Sequence, residues 1–270
     1  MTTMTAPAPS SHRVGPAGFS VARFGRYYAF SLGTIVRDWS FLVFIIAMPV
    51  TMYLFFTSIY GGDADDPAGA VVAAVMMVTM ATYAGLGAAM NAGASIQSER
   101  SSGWFRTLML TPLNPAEFVA AKVLTAVTVV MPALLTVFAA GVVRGVRLDP
   151  PVWAATFGLL LAALLPMVLL GLSIGLLFKP QTASAVTTLT MLALSMIGGL
   201  WVPLEMMPGA MQAVGRLTPS YWAGQIGSWP LVGGAFPWRG VQVIAVWSIL
   251  LLILGALSYR RAVRTSRRSN

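Results

Sequence analysis

The feature that most constrains this chain is a series of long, uninterrupted apolar runs. Six are present, near residues 39–60, 68–96, 118–143, 152–178, 184–203 and 240–259. At 1.5 Å of helical rise per residue, about 20 residues cross the ~30 Å hydrocarbon core of a bilayer. Lipid offers no partner to backbone polar groups, and continuous rather than alternating runs point to helices instead of barrel strands. The expectation is an all-α integral membrane protein with six transmembrane helices. Composition is of the same kind: 57% hydrophobic and 9% charged residues, with a mean hydropathy of +0.78, lie far from a soluble globular domain. Pro49, Pro132 and Pro166 fall inside the runs and predict kinks.

An even number of spans puts both termini in one compartment. Thirteen of the 17 Arg and Lys residues belong to the termini and the even-numbered loops. Arg144, Arg147, Arg216 and Arg239 lie on the opposite side, together with Asp63, Asp65 and Asp66 of the GGDADDP turn. By the positive-inside rule both termini are cytoplasmic, and Arg144 with Arg147 is a local exception. The net charge of +9 reflects this asymmetry, so no nucleic-acid partner is expected. Residues 1–18 read as a disordered cytoplasmic tail without the apolar centre of a signal peptide, which leaves targeting to the first span. Residues 260–270 read as a basic cytoplasmic tail, and residues 39–259 as the membrane domain between them. Cysteine is absent and the lone His12 lies in the tail, so neither disulfides nor a metal site is expected.

Residues 19–38 carry Phe24, Tyr27, Tyr28, Leu32, Ile35 and Val36 at spacings of three and four, with Arg23, Arg26 and Arg37 off that face. The pattern favours an interfacial helix on the inner leaflet over an extended start to the first span. The second run is longer than a bilayer needs and sets small residues four apart, at Ala81, Gly85, Ala89 and Gly93. Gly171 and Gly175 repeat that spacing, and both sets read as surfaces for close helix approach.

Apart from Lys122 near a cytoplasmic end, the runs hold no ionisable residue, which argues against an ion-coupled carrier. There is no paired carboxylate in a span, no nucleophile elbow and no phosphate loop, so no catalytic residues are assigned. Energy for any transport must come from a partner acting on a cytoplasmic segment. The segment SERSSGWFRTLMLTPLNP, between the second and third runs, has the right character. Trp104, Phe105, Leu108 and Met109 make an apolar stripe at helical spacing, closed by Pro112 and Pro115. Such a stripe suits either the membrane interface or a groove on a soluble partner.

Glu99 and Arg100, followed by Gly103, Trp104, Phe105, Arg106, Leu108, Thr111 and Pro112, resemble the motif E-R-x-x-G-W-x-R-x-L-x-x-T-P of type-2 ABC exporter permeases. Residues 175–225 resemble the family's last cytoplasmic loop, fifth span and extracellular hairpin, with Gly198, Gly199, Pro203, Pro208, Pro219 and Tyr221 at matching places. The resemblance implies that residues 98–115 hold a coupling helix docking on a separate ATPase, which would carry ATP and Mg while this chain binds no cofactor. Many members have G-T-[LF]-E where Gly103, Trp104, Phe105 and Arg106 stand here; the reversed charge implies a subgroup with its own matched ATPase surface.

It further implies two permease copies over two ATPases, most simply a homodimer, with the second and fifth spans facing across the two-fold axis. Met80, Tyr83, Gly85, Ala89, Asn91, Met191 and Met196 are then the candidate pathway and dimer face. Methionine adapts to irregular apolar ligands and is equally ordinary in packing. The segment after the fifth run, broken by Pro and Gly and rich in Trp, predicts an extracellular re-entrant hairpin. The expected protein is a permease of a bacterial inner membrane exporting a hydrophobic or amphipathic compound such as a drug, antibiotic or lipid. A permease for a lipid-linked glycan and a non-transporting scaffold or sensor component are the alternatives.

Overall fold

In the computed structural model, residues 20–37, 39–60, 67–101 and 115–268 are described. All regular elements among them are helical: α1 (Val21–Val36), α2 (Trp39–Tyr60), α3 (Pro67–Ala94), α4 (Ile96–Ser101), α5 (Pro115–Val143), α6 (Pro150–Ala163), α7 (Leu165–Leu177) and α8 (Pro180–Ile197), then a 3₁₀ turn at Leu204–Met206, α9 (Gly209–Gly215), α10 (Pro219–Val232) and α11 (Trp238–Arg268). Among the described residues, four stretches are long and apolar enough to cross a membrane, namely Ala68–Ala94, Val119–Val143, Pro150–Leu177 and Trp238–Ser258. Two shorter apolar stretches, Ile46–Tyr60 and Gln181–Ile197, belong to α2 and α8. The residues read as the tail 1–18, residues 61–66 of the GGDADDP turn and most of the coupling segment lie outside the described residues.

The prolines act as their chemistry requires. Pro49 and Pro132 sit inside α2 and α5 without ending either helix. Pro166 brings no N–H for the carbonyl four residues back, and there the run read as 152–178 breaks into α6 and α7 at Leu164. The turn tightens, with Met167 N–H donating to the Leu164 carbonyl at 3.0 Å. Pro180 opens α8, and Gly198 with Gly199 (φ +70°) closes it, so this helix starts and stops earlier than the run at 184–203. At the other end of the chain, α11 continues to Arg268 and takes in most of the stretch read as a basic tail.

The core is built around α3. Met77, Val78, Ala81, Tyr83, Leu86 and Met90 on this helix are all at most 2% exposed. The two small-residue patterns meet each other here. A Cβ added at Gly93 would collide with the Val168 carbonyl, and one added at Gly171 with the Met90 carbonyl. Gly175 lies against Ile96 and Ala94 in the same way, so α3 and α7 touch backbone to backbone over two turns. Helix α11 differs, leaving Val246, Ile249, Leu250, Ile253 and Leu257 more than half exposed.

Candidate functional site

Two regions stand out, one at each end of the bundle. The first surrounds the start of α5. Helix α1 is amphipathic, and Tyr27, Ser31 and Ile35, each one turn from the next, form its buried face. Beside it, Glu99 on α4 is 6% exposed and Lys122 on α5 is 1% exposed. These two pair directly, with Lys122 Nζ donating to Glu99 Oε1. Tyr27 donates its hydroxyl to the other carboxylate oxygen, Glu99 Oε2, at 2.9 Å. The ring of Tyr27 lies 5.6 Å from Lys122 Nζ, a cation–π distance. Ser95, at the turn separating α3 from α4, places its hydroxyl 3.5 Å from the same ammonium.

A second carboxylate lies five positions before Lys122 on α5. Glu117 is fully buried in the first turn of α5, where helix dipoles favour negative charge. Its Oε1 accepts from the backbone N–H of Ser20, at the N-cap of α1, and from Arg23 Nη2 at 3.2 Å. Tyr28 and Thr128 hydroxyls add a further α1–α5 bond of 2.9 Å. Unpaired, a charge buried this deeply is costly, so each carboxylate here is held by donors from other elements.

The second region lies where α8 ends and α9 and α10 fold back. Thr218 caps α10, Ser220 donates to the Leu194 carbonyl at 2.7 Å, and Gly198 packs directly against Ser220. Indole N–H groups pin this end: Trp222 donates to the Arg216 carbonyl, Trp229 to Gly234 and Trp247 to Leu217. Between α3 and this cap is a cavity of about 230 Å³ lined by Phe56, Met76, Thr79, Met80, Trp201, Pro203, Glu205, Tyr221, Gly224, Gln225 and Ser228, among others. Tyr83 stacks edge-on against Trp201, with ring centres 5.6 Å apart. Burial, with the Glu205 carboxylate nearby, pushes the Tyr221 phenol above its ordinary range, against a smaller opposing pull from Arg216. Its hydroxyl stays neutral and able to hydrogen-bond. The cavity is smaller than ordinary drug-sized pockets and suits one apolar or aromatic group.

The expected site residues distribute as follows. Glu99 is at the centre of the first region; Arg100 is in α4, and its side chain lies outside the described residues, as do Gly103, Trp104, Phe105, Arg106, Leu108, Thr111 and Pro112. Met80 lines the cavity and Tyr83 backs it. Gly85 faces Leu164 and Leu134, and Ala89 is fully buried, so both take part in packing within the chain. Asn91 donates to the Gly87 carbonyl of its own helix at 2.9 Å. Met191 packs against the core, whereas Met196 is 56% exposed on a stripe of α8 that includes Leu189 and Leu192. Pro203 and Tyr221 line the cavity, Pro208 caps α9 and Pro219 begins α10.

Sequence reasoning missed Tyr27, Ser95 and Glu117 as partners of the first region. An acidic residue in the first turn of a helix is a visible signal, but nothing local pairs it with residues 20 and 23. Arg144, the exception to the charge asymmetry, donates to the hydroxyls of Thr57 at 3.3 Å and Ser58 at 3.0 Å, near the C-terminus of α2 where a cation is favoured.

Residues 28–231 match the family described as ABC-2 type transporter. The chain is 28% identical over 229 residues to the transport permease YvfS of Bacillus subtilis (strain 168), covering 84% of this chain and 93% of that one. It is 25% identical over 236 residues to the daunorubicin resistance ABC transporter permease protein DrrB1 of Streptomyces coeruleorubidus, covering 81% of this chain and 78% of that one.

Proposed function

Because the chain belongs to the ABC-2 type transporter family, we propose that it is the membrane subunit of an exporter for a hydrophobic or amphipathic compound, driven by a separate ABC ATPase. Family membership makes the chain a non-catalytic permease subunit and the ATPase its partner. The observation that carries the export reading is the family match across 28–231 together with the drug-resistance permease among the relatives. In this reading both termini are cytoplasmic, α2 and α8 complete a set of six spans, and the first region lies at the inner face of a bacterial inner membrane. The segment 98–115 docks on the ATPase through Trp104 and Phe105, and ATP with Mg binds there, not here. Two copies pair through the apolar stripe of α8 at Leu189, Leu192 and Met196. The cavity bordered by Met80, Trp201 and Tyr221 lies at the outer end of the path, below a re-entrant hairpin formed by α9 and α10.

The test is to tag the chain in its native membrane, purify it in mild detergent and identify stoichiometric companions by mass spectrometry. An equimolar protein with a phosphate loop is the expected result. A chain that purifies alone overturns the reading and leaves a scaffold role.

A further inference from the structure

We propose that Tyr27, Glu99 and Lys122 are positioning residues of a lock that makes α1, α4 and the start of α5 one rigid body, through which displacement of the coupling segment 98–115 enters the helix bundle. The inference rests on the permease reading above and adds the route by which that segment acts.

The three residues come from three separate elements, 72 and 23 positions apart in the chain, and converge on one carboxylate. Each oxygen of Glu99 has its own donor, Tyr27 on Oε2 and Lys122 on Oε1. Ser95 brings the end of α3 to the same ammonium. The segment 98–115 leads out of α4 (Ile96–Ser101) and into α5 at Pro115. Both of its ends are therefore fastened into this cluster, the first through Glu99 and the second through Lys122. Glu117, held to Ser20 and Arg23, fastens the N-terminus of α1 to the first turn of α5, just before the turn that carries Lys122.

Packing alone does not call for charge here. A buried ion pair adds little net stability over apolar side chains of the same volume, and apolar faces slide past one another at small cost. Charge-assisted bonds supply what sliding contacts lack, a fixed register, because they weaken steeply with angle and distance. An ionic cluster at the one place where a segment pushed from outside joins the bundle transmits that push to α1 and α5 together. Tyr27 is the informative member, since its hydroxyl reaches Glu99 while its ring also borders the ammonium.

The chain contains no cysteine, so paired labels can be introduced cleanly. Spin labels at Ala29→Cys on exposed α1 and Val143→Cys, 83% exposed at the far end of α5, report the angle between the two helices. The distance is measured by pulsed electron resonance in the complex with its copurified ATPase, without nucleotide and with ATP plus vanadate. In the otherwise unaltered chain the distance is expected to stay within about 2 Å between the two states, well short of a one-turn step of one helix past another. Tyr27→Phe and Lys122→Met should broaden the distribution while ATP hydrolysis and ATPase copurification persist, and Lys122→Arg should keep it narrow. A shift of more than about 5 Å in the unaltered chain, one helical turn, overturns the lock. So does a distribution as narrow in Tyr27→Phe as in the unaltered chain; that variant loses a single hydroxyl and covers the case in which Lys122→Met does not fold. If no ATPase accompanies the chain, the permease reading falls and the lock with it, whereas a copurified ATPase with an unchanged Tyr27→Phe distribution removes the lock alone.

Discussion

Gly93 of α3 and Gly171 of α7 lie in one backbone contact, and no side chain fits at either position without moving a helix. The colliding atoms would be carbonyls, of Val168 for the first and of Met90 for the second, and these cannot rotate away as a flexible side chain does. Gly171→Leu should therefore destabilise the chain by about 2 kcal/mol or more, as overpacking does. Gly158 on α6 has open space where its Cβ would be, and Gly158→Ala should be neutral or stabilising by up to about 1 kcal/mol. Thermal unfolding of the two variants in detergent, followed by loss of monodisperse protein, distinguishes them.

Removing Lys122 leaves a carboxylate 6% exposed with one donor fewer. Lys122→Met alone should cost about 3 kcal/mol, and Lys122→Met combined with Glu99→Gln should cost less than the sum of the two changes. A double-mutant cycle on unfolding in denaturant measures the difference; strict additivity would mean the pair contributes no interaction.

Trp104 and Phe105 are the proposed anchors on the ATPase. Changing both to Ala should leave insertion and expression intact while reducing copurified ATPase by about tenfold, the scale of losing aromatic anchors at an interface. Equal recovery of the ATPase would place the docking surface elsewhere.

Gly224 lines the cavity, and a Cβ there meets Leu200 at an ordinary 3.6 Å, so a larger side chain has somewhere to go. Gly224→Leu should fill much of the cavity of about 230 Å³ without unfolding the chain. Resistance of cells to an exported compound should then fall by about tenfold, with membrane levels and ATPase association unchanged. Resistance that stays level would take the cavity out of the path.

The parts of this fold that were legible in the sequence are those that local chemistry controls. Apolar length located the long helices, and the three-and-four spacing on α1 picked out Tyr27 and Ile35 of its buried face but not Ser31, while Phe24, Tyr28 and Leu32 of the same stripe are half-buried. Pro166 marked the break at Leu164, and the glycines marked two surfaces of close approach. What stayed hidden was pairing at a distance. Nothing near Gly93 says that its partner is Gly171, and nothing near Glu99 names Tyr27, because such partners are selected by three-dimensional packing and not by neighbours in the chain. Of the docking motif itself, Glu99 and Arg100 belong to α4 and the remaining residues lie outside those described, so its role rests on sequence and on the family.

The break at Leu164 divides neighbours as well as hydrogen bonds. Before it, α6 packs chiefly on α10; after it, α7 packs on α3 and α11. One span is thus two levers joined at a pivot, each belonging to a different end of the molecule. A displacement arriving from α4 cannot travel stiffly along that span. Helices α3 and α11 run unbroken beside both α7 and α10 and bridge the pivot from one face to the other.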